Sequence, residues 1–165
     1  MSKLPAAIVK LATKEVGVEE VDGSNCGPRV NEYKSATNLP PKESWPWCAA
    51  FVCWVVREAM ALMGVEETPT FARPKTAGAW DFENWSRAQD DSTQTRKPAA
   101  NDIQPGDIVI FTFSHIGIAT SGPDDNGNVH TVEGNTDTAG SREGGGVFQK
   151  IRHVSKIRSR IRFTV

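Results

Sequence analysis

The sequence predicts a fold of the α+β class, with helices in the first half of the chain and an antiparallel sheet in the second. Up to residue 87, apolar residues recur every three or four positions, which is typical of helices packed on a core. From residue 107 onward, short β-branched segments alternate with turns rich in Gly and Asn, as in strands joined by tight connections. The 165 residues, 38% of them hydrophobic and 24% charged, predict a single domain over 1–165.

Four helices are expected in the first half of the chain, at 2–16, 29–37, 46–63 and 76–87. Ser2 and Thr76 are the expected caps of the first and the last helix, because both residue types accept hydrogen bonds from free backbone N–H groups. Gly64 is expected to end the third helix. The polar stretches 18–27 and 89–105 are predicted to be surface loops.

Five strands are expected in the second half, at 107–113, 115–120, 128–133, 147–151 and 156–165. The turn at 122–127 predicts that the second and third of these pair antiparallel as a hairpin. The glycine-rich stretch 134–146 is expected to be a loop. The last strand alternates, so its basic side chains share one face: Lys156, Arg158, Arg160 and Arg162. That face meets an anionic polymer or is solvated, and the near-neutral charge of the whole chain favours the solvated alternative.

Composition excludes several classes of function. A formal net charge of −1 provides no general attraction for nucleic acid, so we expect no such partner. The sequence lacks an apolar run of membrane length and the apolar core of a signal peptide. We therefore expect no membrane insertion, and synthesis in the cytoplasm without a signal peptide. The three cysteines and three histidines lack the paired short spacing of a zinc site, so zinc is not expected, and no cofactor is predicted.

Cys48 is the first candidate for chemistry, because it lies at the predicted start of the third helix. Pro46 suits such a start, since its missing N–H costs nothing there. Free N–H groups and the helix dipole favour a negative charge at this end, and the thiolate is the reactive form of cysteine. A cysteine is more often a small buried apolar residue, and that interpretation suits Cys53, which faces largely away from Cys48.

A thiol nucleophile needs a base and a group that orients the base. In the predicted hairpin, His115 begins one strand and Glu133 ends the other, so the two side chains are expected to lie close together. Asn135 follows two residues later. We expect Nδ1 of His115 to be held by Glu133 or Asn135 and Nε2 to face Cys48, with the backbone N–H of Cys48 stabilising an oxyanion. His130 and His153 are weaker candidates by register and by their surroundings.

Four sequence blocks, at 46–52, 105–111, 114–118 and 132–136, read PWCAAFV, PGDIVIF, SHIGI and VEGNT. Together and in this order they resemble the CHAP domain, the cysteine, histidine-dependent amidohydrolase/peptidase family with a papain-like fold that cuts peptidoglycan. The resemblance implies that Cys48 is the nucleophile, His115 the base and Glu133 its orienting group, with Asn135 similar to a further polar residue near the site. Some members bind calcium through an acidic loop before the cysteine. Residues 43–47 do not match that loop, so no metal is expected.

The implied function is hydrolysis of an amide bond in the peptide part of peptidoglycan, by an amidase or an endopeptidase. Trp47 and Trp80 are candidate substrate-binding residues. The expected setting is that of a phage endolysin or of an injected antibacterial effector, which would need an immunity protein as partner. We expect a monomer without a separate wall-binding module. Two alternatives remain open: a cysteine acyltransferase, and a non-catalytic module that binds the cell wall.

Overall fold

The computed structural model describes residues 2–98, 102–141 and 144–165. These residues form an α+β fold, as predicted. The helices are α1 (Lys3–Lys14), α2 (Pro28–Lys34), α3 (Cys48–Met63) and α4 (Asp81–Arg87). The strands are β1 (Gln94–Pro98), β2 (Ile108–Phe111), β3 (Ile116–Ala119), β4 (Asn128–Thr136), β5 (Gly146–His153) and β6 (Ile157–Phe163). They form one antiparallel sheet in the order β1-β6-β2-β3-β4-β5.

Helix α3 runs through the centre of the molecule. Every residue from Cys48 to Val56 is buried, and the helix contacts α1, α2, β3 and β4. A helix that is apolar on all sides is stable only when other elements surround it. The helix begins two residues later than predicted, with Trp47 at the cap position. It ends as predicted at Gly64, whose φ of 66° lies in the left-handed region that glycine adopts without strain.

Both faces of the sheet centre are covered. Ile108 and Ile110 on β2 face the helices, whereas Val109 and Phe111 contribute to a second, smaller apolar cluster on the opposite face. Successive side chains of a strand point to opposite faces, so all four residues of β2 are buried. The predicted buried strand is confirmed at 108–111, shorter than the predicted 107–113, and the chain turns after it toward residue 115.

The predicted helix over 76–87 is wrong over its first five residues, 76–80. Helix α4 starts at Asp81, and Thr76 does not cap it. The hydroxyl of Thr76 instead accepts a hydrogen bond from the backbone N–H of Gly78 at 3.1 Å. Threonine side chains stabilise tight turns in this way, so the same residue type that caps helices here keeps the backbone in a turn.

Two predicted loops contain strand. Residues 94–98 form β1, an edge strand paired with β6, and residues 134–136 extend β4 beyond its predicted end. Strand β1 is polar and ends in proline, both of which are common at sheet edges, so its side chains give no apolar alternation to detect. Residues 99–101 and 142–143 of the predicted loops lie outside the described residues.

The basic residues of the last strand do not share one environment: Lys156 and Arg158 are exposed, as the solvated alternative predicts, whereas Arg160 is buried and Arg162 is partly buried. Arg160 is 1% exposed and its Nη2 donates to Asp102 at 2.9 Å. Arg162 Nε donates to Asp107 at 2.7 Å. Arg158 Nε donates to Glu83 on α4 at 3.0 Å, whereas Lys156 lies in a short 3-10 turn before β6. Acidic residues distant in sequence therefore neutralise the three arginines, which the alternation along one strand does not reveal.

Candidate active site

Cys48 is the first residue of α3, and its side chain lies at the base of a cleft of about 270 Å³. The residue is 6% exposed, and the cleft leads to it. Its walls come from three separate parts of the chain, namely the segment before α3, the turn before α4 and the link between β2 and β3. The side chains include Leu39, Trp45, Ala79 and Ser114.

His115 and Glu133 meet through the β3–β4 pairing. Nε2 of His115 lies 2.8 Å from Oε1 of Glu133, and both side chains are fully buried. Ile118 pairs with Val132, so His115 and Glu133 approach each other at the same end of the two strands, as the hairpin predicts. Gly117 makes room for this contact, because a Cβ at that position would lie 2.6 Å from Cγ of Glu133.

The two ring nitrogens of His115 have the opposite roles to those expected. Nε2 donates to Glu133, which leaves Nδ1 on the other side of the ring, where it has no hydrogen-bond partner within the described chain. Burial lowers the pKa of His115, but the nearby Cys48 side chain and Glu133 outweigh burial and raise the pKa to about 9. The thiol is therefore close enough to affect the imidazole, and Nδ1 is the nitrogen available to it.

Glu133 has two further partners, which the sequence did not indicate. Arg152 on β5 donates Nε to Oε2 at 2.8 Å and Nη2 to Oε1, and the hydroxyl of Thr131 donates to Oε2 at 2.5 Å. Burial raises the pKa of Glu133, but the bonds from Arg152 and His115 lower it to about 2. The predicted strand ended at residue 151, so Arg152 was missed; the available signal was the need of a buried carboxylate for a cationic partner.

Aromatic rings hold the imidazole in its plane. The His115 ring stacks on Phe111 and Phe113 with centroids 5.6 and 5.7 Å away and interplanar angles of 17° and 12°. The guanidinium of Arg152 lies over both phenyl rings, at 5.1 and 5.4 Å from their centroids. Offset stacking and cation–π contacts favour parallel planes, so the base and the cation that binds Glu133 are oriented by the same two rings.

Strand β4 passes unusually close to the start of α3 just after Glu133. A Cβ on Gly134 would lie 2.7 Å from Cβ of Phe51, so this close approach requires glycine. The next residue, Asn135, is fully buried and has a φ of 55°, at an irregularity in the β4–β5 pairing. Left-handed conformations are uncommon for residues other than glycine, and asparagine tolerates them better than most.

The two candidate tryptophans occupy different environments. Trp47 is fully buried, stacks on Tyr33 and donates Nε1 to Glu20 at 2.9 Å. It is therefore a core residue, and the expectation that it binds substrate is wrong, because no face of its ring is accessible. Trp80 is 42% exposed; its Nε1 donates to the Phe111 carbonyl at 3.1 Å, and its ring packs beneath the guanidinium of Arg158.

Cys53 differs from Cys48 in its surroundings. It is fully buried and its thiol donates to the Thr76 carbonyl at 3.3 Å. Burial is the main cause that raises its pKa to about 12, so the side chain stays a neutral thiol.

Among the residues that the structure describes, no group of three or more His, Cys, Asp or Glu side chains is arranged to hold a metal ion. No helix in the described ranges combines the length and apolar character needed to cross a membrane.

Comparisons with known proteins agree with the α+β fold and with the family that the sequence blocks resemble. A family model described as the CHAP domain matches residues 40–135, which is more than half of the chain. Among solved structures, the wild-type endolysin LysIME-EF1 has a similar fold, with a TM-score of 0.54 and 17% sequence identity. The alignment covers 98% of this chain but 64% of the endolysin, so the chain spans slightly less than two thirds of the length of that protein. A search of curated proteins finds no match.

Proposed function

Because the chain belongs to the CHAP domain family, we propose that it hydrolyses an amide bond in the peptide part of peptidoglycan. The observation that carries this proposal is the arrangement of Cys48, His115 and Glu133. A thiol at a helix start lies near the free nitrogen of an imidazole whose other nitrogen donates to a buried carboxylate. A nucleophile, a base and an orienting group in this order are the requirements for acyl transfer through a covalent intermediate.

In the proposed reaction, the Cys48 thiolate attacks the amide carbonyl and His115 protonates the leaving amine from Nδ1. The raised pKa of His115 supports this second role, because the imidazole holds its proton at neutral pH. Water, activated by the same nitrogen, then releases the acyl group as a carboxylate. Glu133 keeps the proton on Nε2 and stabilises the charged ring throughout.

Developing negative charge on the carbonyl oxygen needs hydrogen-bond donors close to the sulfur. The first N–H groups of a helix have no partner within the helix, and Cys48 is the first residue of α3. Its backbone N–H is therefore the proposed oxyanion donor, assisted by the positive end of the helix dipole.

Two further residues are proposed to belong to the site. Asn135 lies two residues after Glu133 with a left-handed backbone, and unusual conformations of this kind concentrate at functional sites. Trp80 follows Ala79, which lines the Cys48 cleft, and its exposed ring is proposed to contact the polymer. An aromatic ring suits the apolar faces of sugars and peptides without requiring a charge.

The biological setting is also a proposal. The fold shared with the endolysin LysIME-EF1 supports action on the cell wall as a phage endolysin. The second possibility is an antibacterial effector, and its producer would need an immunity protein that covers the Cys48 cleft. In both settings we propose that the domain acts as a monomer on peptidoglycan.

The test is digestion of purified cell walls by the wild type, by Cys48→Ala and by Cys26→Ser as a matched control. We expect Cys48→Ala to lose at least about 10³-fold of the rate at which free amino groups appear, and the control to keep it. Mass spectrometry of the products should show a new carboxylate beside each new amine. Full activity of Cys48→Ala contradicts the hydrolase, and transfer of the acyl group to an added amine without a new carboxylate favours an acyltransferase.

A further inference from the structure

The cleft above Cys48 continues into a second, larger cavity of about 650 Å³. Both are lined by Leu39, Ala77 and Gly78, so the two form one groove that leads away from the thiol. Where the two cavities join, one wall consists of the small residues Ala77 and Gly78. This groove offers room for a peptide on one side of the bond that Cys48 attacks.

We propose that Arg73, in the outer part of this groove, binds a free carboxylate of the wall peptide. The proposal rests on the proposed hydrolysis of peptidoglycan and names the part of the substrate that the groove selects. Two cations line the outer part, Arg73 and Lys75. Lys75 lies 3.7 Å from Glu67, whose carboxylate also accepts a hydrogen bond from the backbone N–H of Arg73 at 2.8 Å. Within the described residues, the guanidinium of Arg73 itself forms no ion pair with a carboxylate.

Arg73 is held in place by backbone groups. Its Nη1 donates to the carbonyls of Ala36 at 2.8 Å and Pro74 at 3.2 Å, which orients the guanidinium without neutralising it. The groove wall itself is fixed by the hydrogen bond from Asn38 N–H to the Lys75 carbonyl at 2.9 Å. A guanidinium has five N–H donors, so most remain for a carboxylate, which arginine binds in a planar, bidentate manner.

The charges around Arg73 favour such a ligand. Partial burial, followed by repulsion from Arg57, lowers the pKa of Arg73, although Cys53, Glu67 and Glu58 act in the opposite direction. A carboxylate bound at the guanidinium would supply a closer negative charge that offsets the repulsion from Arg57. Asp81 lines the same part of the groove and would repel a second carboxylate while attracting an ammonium group. The best match is therefore a peptide that carries both charges, as wall peptides do.

The first test measures binding separately from catalysis. Cys48→Ala protein, with and without Arg73→Gln, is sedimented with native walls and with walls whose carboxylates have been converted to amides. We expect Arg73→Gln to weaken binding to native walls about 10-fold. Amidation of the walls should weaken the binding of the protein that retains Arg73 by the same factor. Amidation should cause no further loss for Arg73→Gln. The proposal is overturned if both proteins bind native walls equally, or if amidation of the walls weakens the binding of both proteins equally.

Kinetics on native walls give the second test, with Arg96→Gln as the matched control because Arg96 lies on the edge strand β1, outside the groove. Arg73→Gln should raise KM about 10-fold with little change in kcat, and Arg73→Lys should recover part of the loss. An unchanged KM overturns the proposal. If Arg73→Gln does not fold, insensitivity of wild-type KM to wall amidation is the overturning result. Absence of any wall hydrolysis would instead contradict the proposed function and leave the binding test decisive.

Discussion

Arg152 and Glu133 form a buried bidentate ion pair, and the same carboxylate accepts the hydrogen bond of the His115 imidazole. Glu133 is fully buried and the Arg152 side chain is 14% exposed. A permanent cation therefore balances the carboxylate whether or not His115 carries a charge. This permits the imidazole to gain and lose a proton during a reaction without leaving an unpaired buried charge behind.

Replacement of Arg152 should affect the pH dependence of activity as well as stability. Arg152→Met leaves Glu133 without its cation, so we expect a loss of about 3 kcal/mol in the free energy of unfolding. The pKa of Glu133 should rise, and activity should fall off at a higher pH on acidification than in the wild type. Rate measurements across pH check this, and Arg152→Lys should restore part of the shift. An unchanged acid limb would mean that Arg152 has only a structural role.

The thiols should differ in reactivity toward an alkylating agent at neutral pH. We expect Cys48 to react well before Cys53, because the cleft exposes its sulfur while burial keeps Cys53 a neutral thiol with a pKa of about 12. Labelling followed by peptide mass mapping measures both sites. The experiment uses Cys26→Ser protein, since Cys26 is partly exposed and would react too. Equal or faster labelling of Cys53 would contradict an activated Cys48.

Stability should depend on pH through the His115–Glu133 pair. The pKa of His115 is about 9 in the folded protein against 6.5 ordinarily, so its contribution is complete below 6.5 and is lost as pH rises through 9. The pKa of Glu133 is about 2 against 4.5, so its contribution is present above 4.5 and is lost as pH falls through 2. The two together predict the greatest contribution between 4.5 and 6.5.

Urea unfolding at a series of pH values measures this contribution. The difference in the free energy of unfolding between the wild type and His115→Gln should shrink steadily from pH 6.5 toward 9. Glu133→Gln should reduce the same alkaline slope, because the imidazolium loses its carboxylate. A difference that is constant from neutral to alkaline pH would show that His115 has no raised pKa in the folded protein.

Gly134→Ala should separate β4 from the start of α3. The added methyl group would lie 2.7 Å from Cβ of Phe51, a contact that requires the strand or the helix to move. We expect a loss of about 1–3 kcal/mol in stability, together with reduced activity because Glu133 precedes this residue. Gly145→Ala is the control, since its Cβ would meet only the side chain of Glu20. Thermal unfolding and wall digestion measure both effects, and equal behaviour of the two variants would contradict the prediction.

The predictions that succeeded depended on patterns among residues close together in the sequence. Apolar spacing and Gly64 identified α3 and its end, and a buried run followed by a turn identified the β2–β3–β4 order. The contact between His115 and Glu133 followed from hairpin register alone, because pairing in a two-strand unit depends on residues close in sequence. The predictions that failed, such as β1 and the cap at Thr76, concern polar segments whose structure depends on distant partners.

The sequence by itself determined the fold class, the helix that presents Cys48 and the pairing that joins His115 to Glu133, since periodicity and turn chemistry are local properties. The tertiary structure alone decided which nitrogen of His115 faces the thiol, that Arg152 neutralises Glu133, and that Trp47 is buried rather than available to substrate. Each of these depends on side-chain direction and on the balance of charge among elements far apart in the chain. Packing in three dimensions sets these quantities, and spacing along one strand does not encode them.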